Sequence, residues 1–325
     1  MKIGGIGKRM AESISGTSAL SLAEEELNYI TKNEIEVLYF LDDEYPRRLR
    51  HCEDGPVVLY SKGSANLNKQ QVIAIVGTRN ATQYGKDFCQ QFMQELKPFN
   101  PLVISGLAYG IDTVSHQQAL QNGLPTVGVL GHGLDRIYPA TNRKLAGRML
   151  ENGGLITEFV SGTNPDAVNF PKRNRIVAGI SDAVVVVEAA KQGGALITAK
   201  IANSYNREVF AVPGRLSDPY SEGCNHLIAT NQAALLHSVN DLKYLLGWEA
   251  GDQKDQVPVQ HSLPLDDFNS EEQKIIRIMQ SKEGKIGLED LCFKANSSAS
   301  KVLPLLMNLE LKGVVRSLPG RVYAL

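Results

Sequence analysis

Cations stand at two places in this chain where they could hold phosphate. Arg79 follows the apolar run Val72-Ile73-Ala74-Ile75-Val76 by three residues, and Lys172, Arg173 and Arg175 crowd together with no carboxylate between them. A guanidinium just past a strand end can grip a phosphate through two parallel hydrogen bonds, which a glycine-only turn cannot do. The other reading of Arg79 is a structural ion pair across strand ends. Glycines accompany each group: Gly77 two residues before Arg79, Ser105-Gly106 with Gly110 four residues further on, and Gly193-Gly194 ahead of ALITAKIANSY. Such positions let backbone N–H groups approach an anion closely. Asp112 and His116 share one helical face at i, i+4 and could bind a metal or exchange a proton. No third ligand lies nearby in sequence, so the pair reads as structural and no metal or cofactor is expected.

These residues need a sheet to position them. Val184-Val185-Val186-Val187 contains no polar alternation, the mark of a parallel strand covered on both faces, and it ends at Glu188. Apolar segments at 72–76, 102–105, 125–130, 154–158 and 207–212 each close on a glycine or glutamate-bearing turn, with helical patterns between them. Strand, loop and helix in that alternation predict a Rossmann-like, doubly wound, mostly parallel α/β sheet over residues 67–247, which binds ligand beyond its carboxyl edge. A dinucleotide fingerprint is missing. The turn after Val76 carries one glycine and an arginine where GxGxxG would be needed.

At 325 residues and 43% hydrophobic composition, two or three domains are expected. The net charge of −1 gives no global attraction to nucleic acid, so an anion site must come from local clustering. Residues 1–66 hold 8 basic and 11 acidic side chains, 67–247 hold 16 and 13, and 248–325 hold 10 and 11, which makes the middle segment the only positive one. Cys52, Cys89, Cys224 and Cys292 are too scattered for a zinc knuckle or a redox CxxC, which fits a reducing compartment. No leader and no run of membrane-spanning length is seen, so a cytoplasmic protein is expected.

Two flanking regions complete the plan. Residues 1–66 read as a small helical cap and lead-in, with Gly5-Ile6-Gly7 as half of a helix-hairpin-helix and short apolar segments around 35–49 and 56–63. Residues 248–265 are polar, with Pro258 and Pro264, and read as a linker. Residues 266–325 suggest three helices and a terminal hairpin, a winged helix. Its third helix holds one cation, Lys301, and Pro304, expected to kink or shorten it, so reading of the major groove is disfavoured against a protein-docking role.

The ordered motifs VGTR (76–79), SGLAYGID (105–112), LGHGLDRIYP (130–139), FPKRNRIVAG (170–179), VVEAA (186–190), GALITA (194–199) and VPG (212–214) resemble the DNA-processing protein A (DprA/Smf) family across roughly half the chain. That resemblance implies a non-enzymatic protein that binds single-stranded DNA without sequence preference, dimerises through its Rossmann-like domain and helps load the RecA recombinase during natural transformation and DNA recombination. It further implies a pocket of Arg79 with Arg173, Asn174 and Arg175, and a glycine loop of Ser105, Gly106 and Gly110. Several members place a cation directly after YP. Ala140 stands there in this chain, with Arg143 or Lys144 as substitutes. Tyr109, Tyr138 and Phe170 could stack bases or belong to the core. On a regular helix Arg173 and Arg175 point about 200° apart, so both face DNA only if they flank the helix start. The rival reading is a nucleotide-processing enzyme of phosphoribohydrolase type on a similar fold, with Glu188 or Asp112 as its base.

Overall fold

A helix α1 (Thr17–Lys32) leads into β1 (Glu36–Tyr39), a short helix α2 (Arg47–Arg50) and β2 (Val58–Gly63) in the computed structural model. Then follow β3 (Val72–Val76), α3 (Gln83–Leu96), β4 (Leu102–Ser105), α4 (Ile111–Gln121) and β5 (Thr126–Val129). Next come α5 (Arg143–Met149), β6 (Gly153–Thr157), α6 (Asn169–Ile180), β7 (Ala183–Val186) and α7 (Gly194–Ser204). β8 (Glu208–Ala211), α8 (Glu222–Ala229), β9 (Ala234–Leu235) and α9 (Val239–Leu246) complete the first of two units, Met1–Asp252 and Gln253–Leu325. Residues 17–248, 268–280, 285–312, 314–318 and 322–325 are described. The half helix-hairpin-helix at Gly5-Ile6-Gly7 and nearly all of the 248–265 linker lie outside them.

β3 shows why the sheet is parallel and central. All five of its residues are buried, and they divide by alternation. Val72, Ala74 and Val76 join Ile176, Val177 and Ile180 of α6 and Ala199 and Ala202 of α7 on one face. Ile73 and Ile75 join Phe92, Met93 and Leu96 of α3 and Ile111 of α4 on the other. A strand with two apolar faces needs helices on both sides, and right-handed crossovers supply them.

The strand order is β1-β2-β6-β5-β4-β3-β7-β8-β9. From β3 the chain builds outward through β4, β5 and β6, then returns to lay β7, β8 and β9 on the opposite side. The order therefore reverses between β3 and β7, which pair in parallel from Ile73↔Ala183 to Val76↔Val186. At that point successive loops diverge and leave a crevice. β1 and β2 add antiparallel to the edge at β6, so the lead-in is part of the sheet itself. Arg48 fastens α2 to the opposite sheet end: its Nε and Nη2 donate to Asp182 at 2.5 and 2.9 Å, and Asp182 also accepts the Val72 N–H at 2.8 Å.

The second unit contains α10 (Ser270–Gln280), β10 (Lys285–Gly287), α11 (Leu288–Ala295), α12 (Ala299–Leu311), β11 (Arg316–Leu318) and β12 (Val322–Ala324). Its antiparallel sheet has the order β10-β12-β11, and Ile276, Met279, Leu291, Val302 and Leu309 form its core. This is the winged-helix arrangement. Pro304 does not shorten the third helix. α12 runs 13 residues with the proline in its second turn, so the carbonyl it leaves without an N–H belongs to the exposed first turn. Along α12, Leu303, Met307 and Leu311 are 42%, 67% and 83% exposed, an apolar strip at i, i+4, i+8.

Candidate nucleic-acid interface

The crevice at the reversal of strand order is a cleft of about 310 Å³. Three loops and three helices build it. The β3 turn brings Gly77, Thr78 and Arg79, the β4 loop brings Ala108, the first turn of α4 brings Asp112, and α6 brings Phe170, Arg173 and Asn174. The loop after β7 and the first turns of α7 bring Ala189, Gln192, Gly193, Gly194 and Thr198. The β3 turn is held to the β7 loop by Thr78 N–H donating to the Glu188 carbonyl at 2.7 Å.

Arg173 forms the floor. It is 5% exposed, and its guanidinium occupies the space that a side chain at residue 106 would fill: a Cβ on Gly106 would fall 1.6 Å from Nη1. Gly106 is therefore required by the arginine that lies on it. None of the four ion pairs among the described residues includes Arg173, and its buried Nε has no hydrogen-bond partner. Burial pushes its pKa down; the Asp112 charge opposes this and the Arg79 charge adds to it. Asp112 Oδ2 accepts the N–H groups of Gly106 and Ala108 at 3.1 and 3.3 Å, which fixes the β4 loop. Burial raises the Asp112 pKa, against the pull of Arg173 and these N–H bonds. Gly110 closes the same loop with φ +77, a left-handed turn that a Cβ could enter only by colliding with the Thr78 carbonyl at 2.2 Å.

Arg79 is exposed at the mouth, with its Cζ 5.7 Å from the ring centre of Phe170. Phe170 in turn packs on Tyr138, ring centres 6.0 Å apart. α7 opens on Gly193 with no side-chain cap, so its first N–H groups have no partner from a capping side chain. Asn174 Nδ2 donates to the Gly194 carbonyl at 3.4 Å and ties α6 to that turn. Two cations and an uncapped helix start are groups able to hold an anion, and among the described residues Asp112 is the one carboxylate in the lining.

Several predicted residues fall elsewhere. Residues 169–180 form a regular helix, so Arg173 and Arg175 point to opposite sides and the single pocket containing both does not form. Arg175 pairs with Glu158 and donates to the Asp54 carbonyl. Ser105 is fully buried and donates to the Ile75 carbonyl at 2.6 Å, so it braces the strands beneath the loop. Lys172, Arg143 and Lys144 are exposed outside the cleft lining, as are Tyr109 and Tyr138, at 48% and 45%. Thr78, Gln192 and Thr198 line the cleft, and no spacing in the sequence marks them. The signal that could have found them is the strand order, which places the loops after β3 and β7 side by side.

The carboxylates required for the rival chemistry are already engaged. Glu188 is 1% exposed; its Oε2 accepts the Thr82 N–H at 3.0 Å and its Oε1 the Thr82 hydroxyl, so it anchors the start of α3. His116 donates from Nδ1 to Thr126 at 2.6 Å, since the Thr126 hydroxyl itself donates to the Val103 carbonyl. Among the described residues no group of three His, Cys, Asp or Glu could hold a metal, and no helix is long and apolar enough to cross a membrane.

Comparison with known proteins adds independent observations. The family model for DNA recombination-mediator protein A matches residues 36–247, and that for the DprA winged helix domain matches residues 260–321. The DNA processing protein DprA of Streptococcus pneumoniae is 43% identical over 189 residues, 58% of this chain and 66% of the relative, just under two thirds of its length. An X-ray structure of the S. pneumoniae protein superposes with TM-score 0.63 at 38% identity, covering 68% of this chain and 78% of that one. DNA processing protein A of Helicobacter pylori, whose structure was determined for its single-stranded DNA binding mode, gives 0.60 at 28% identity, covering 66% and 98%.

Proposed function

Because the chain belongs to the DNA recombination-mediator protein A family, we propose that it binds single-stranded DNA through backbone phosphates at the cleft between β3 and β7. One observation carries this reading. Arg173 is a buried guanidinium without an ion-pair partner, it lines a cleft that Arg79 also lines, and Gly106 leaves it room. The Asp112 charge offsets part of the desolvation cost of this guanidinium, and an anion in the cleft would offset more of it. Contacts to phosphate carry no base information, so binding is independent of sequence. Exposed Arg79 and Tyr138, with half-buried Phe170 between them, extend the floor toward solvent and give bases a surface to stack on.

In this reading the chain is a binding protein with no catalytic residue. It protects incoming strands in the cytoplasm, acts as a homodimer through its Rossmann-like sheet, and delivers DNA to the RecA recombinase during natural transformation. Asp112 and Glu188, which a nucleotide hydrolase would need as bases, hold backbone N–H groups instead. The winged helix presents Leu303, Met307 and Leu311, a surface suited to protein and unsuited to phosphate. The test is competition: labelled oligo-dT should be displaced by unlabelled single strands of any sequence and far less by duplex of equal length. Equal displacement by duplex would refute it.

A further inference from the structure

The two arginines of the cleft sit at different depths. Arg79 is exposed, whereas Arg173 is 5% exposed with an unpartnered Nε–H. Around Arg173 the wall is closed, by Gly106 against the guanidinium and by Asp112, whose Oδ2 is committed to two backbone N–H groups. The α7 side is open. A Cβ added at Gly193 would meet nothing within 4 Å, and one at Gly194 only the Asn174 amide at 3.9 Å. The glycines at 77, 106 and 110 are thus demanded by packing, and those at 193 and 194 leave free space before an uncapped helix start.

That geometry discriminates between kinds of phosphate. An internal diester offers two free oxygens, carries one negative charge, and must keep a sugar clear of the walls on each side. A terminal monoester offers three oxygens, ends at the phosphorus, and carries about −1.5 to −2 charge at pH 7. Three oxygens can occupy a guanidinium fork and helix-start N–H groups together. A volume of about 310 Å³ lies at the small end of ligand pockets, a size that suits one nucleotide.

We propose that the floor of the cleft, Arg173 with the first turn of α7, is a phosphomonoester site that prefers the terminal phosphate of a free nucleotide or of a DNA end over an internal diester. The inference rests on the reading of this cleft as a nucleic-acid site and adds which phosphate reaches its floor.

The test uses the full chain. Calorimetry compares dTMP with thymidine 5′-methylphosphate, its diester analogue, and competition compares oligo-dT of one length carrying 5′-phosphate, 3′-phosphate or hydroxyl ends. A monoester should bind at least about tenfold tighter than its counterpart, and the preference should shrink below about pH 6, where the monoester loses its second charge. Arg173→Lys, which keeps the charge and loses the fork, should narrow the preference. If that chain does not fold, the wild-type ratio and its pH dependence decide. A preference seen with dTMP alone assigns the free nucleotide, and one seen with phosphorylated ends alone assigns the DNA end. Equal binding of monoester and diester, with oligo-dT still bound, overturns the inference and leaves the proposed function standing. No binding of any of these ligands removes both.

Discussion

Replacing Gly106 with alanine tests the cleft without touching a charged residue. The added methyl would lie 1.6 Å from Arg173 Nη1 and 2.4 Å from Cζ. Ordinary contact needs about 3.5 Å, so the guanidinium must retreat by roughly 2 Å. It is 5% exposed, and the cleft is its free direction, the space that phosphate would occupy. Losing charge-assisted hydrogen bonds worth about 1.5–3 kcal/mol should weaken oligo-dT binding about 10- to 100-fold. The slope of log affinity against log salt should flatten by about 0.7, one phosphate contact. Fluorescence anisotropy over a salt series reads both. Folding stability should fall by about 1–3 kcal/mol from overpacking, so binding is measured where urea titration shows the variant folded. Gly147→Ala is the control: its Cβ would meet nothing within 4 Å, and in the helix α5 it should stabilise by up to about 1 kcal/mol with DNA binding unchanged. A folded Gly106→Ala chain with wild-type affinity and slope would refute the placement of Arg173 at the phosphate.

Arg175→Ala should have the opposite signature. Arg175 and Glu158 are only 18% and 17% exposed, so removing the cation should cost about 1–3 kcal/mol in urea while the DNA salt slope stays put; a flattened slope would return Arg175 to the DNA. His116 should shape the acid limb of stability. Burial pushes its pKa down to about 3, with the Arg173 charge adding to the push, while the unfolded chain takes up that proton near 6.5. Its contribution is therefore complete above about pH 6.5 and is lost as pH falls toward 3, by roughly 2 kcal/mol at pH 5. His116→Gln should flatten that limb in urea midpoints taken at pH 7, 6 and 5, and an unchanged limb would contradict it. Deleting residues 266–325 should leave oligo-dT affinity within about twofold, and a loss beyond about tenfold would make the winged helix a DNA module.

Much of this was legible in the sequence because the signals were local. Five consecutive apolar residues at 72–76 fix a strand buried on both faces, and the glycine pair at 193–194 marks the start of α7. The turn chemistry at Gly110 likewise identifies a loop before a helix. Pairing was harder to read. That β1 and β2 join the sheet edge depends on their contact with β6, about 95 residues away, and no turn signal announces it. Arg173 and Arg175 lie two positions apart in sequence, so proximity suggested one site. The helix separates them by about 200° and gives one to the cleft and the other to Glu158. Glu188 and Ser105 stand in motif-like surroundings, yet Glu188 spends its carboxylate on the Thr82 N–H and hydroxyl and Ser105 its hydroxyl on the Ile75 carbonyl, a use that only three-dimensional neighbours reveal. Pro304 illustrates the reverse case: its local rule predicted a kinked or shortened helix, but a second-turn position on an exposed helix face lets the helix run its 13 residues.

The salt dependence of oligo-dT binding to the wild type and to Arg79→Ala tests the central claim most directly. With Z phosphates neutralised, the wild-type slope should be near −0.7Z, and Arg79→Ala should bind more weakly with a slope about 0.7 shallower. Weaker binding at an unchanged slope, or no change in either, would contradict a cleft in which Arg79 neutralises a backbone phosphate.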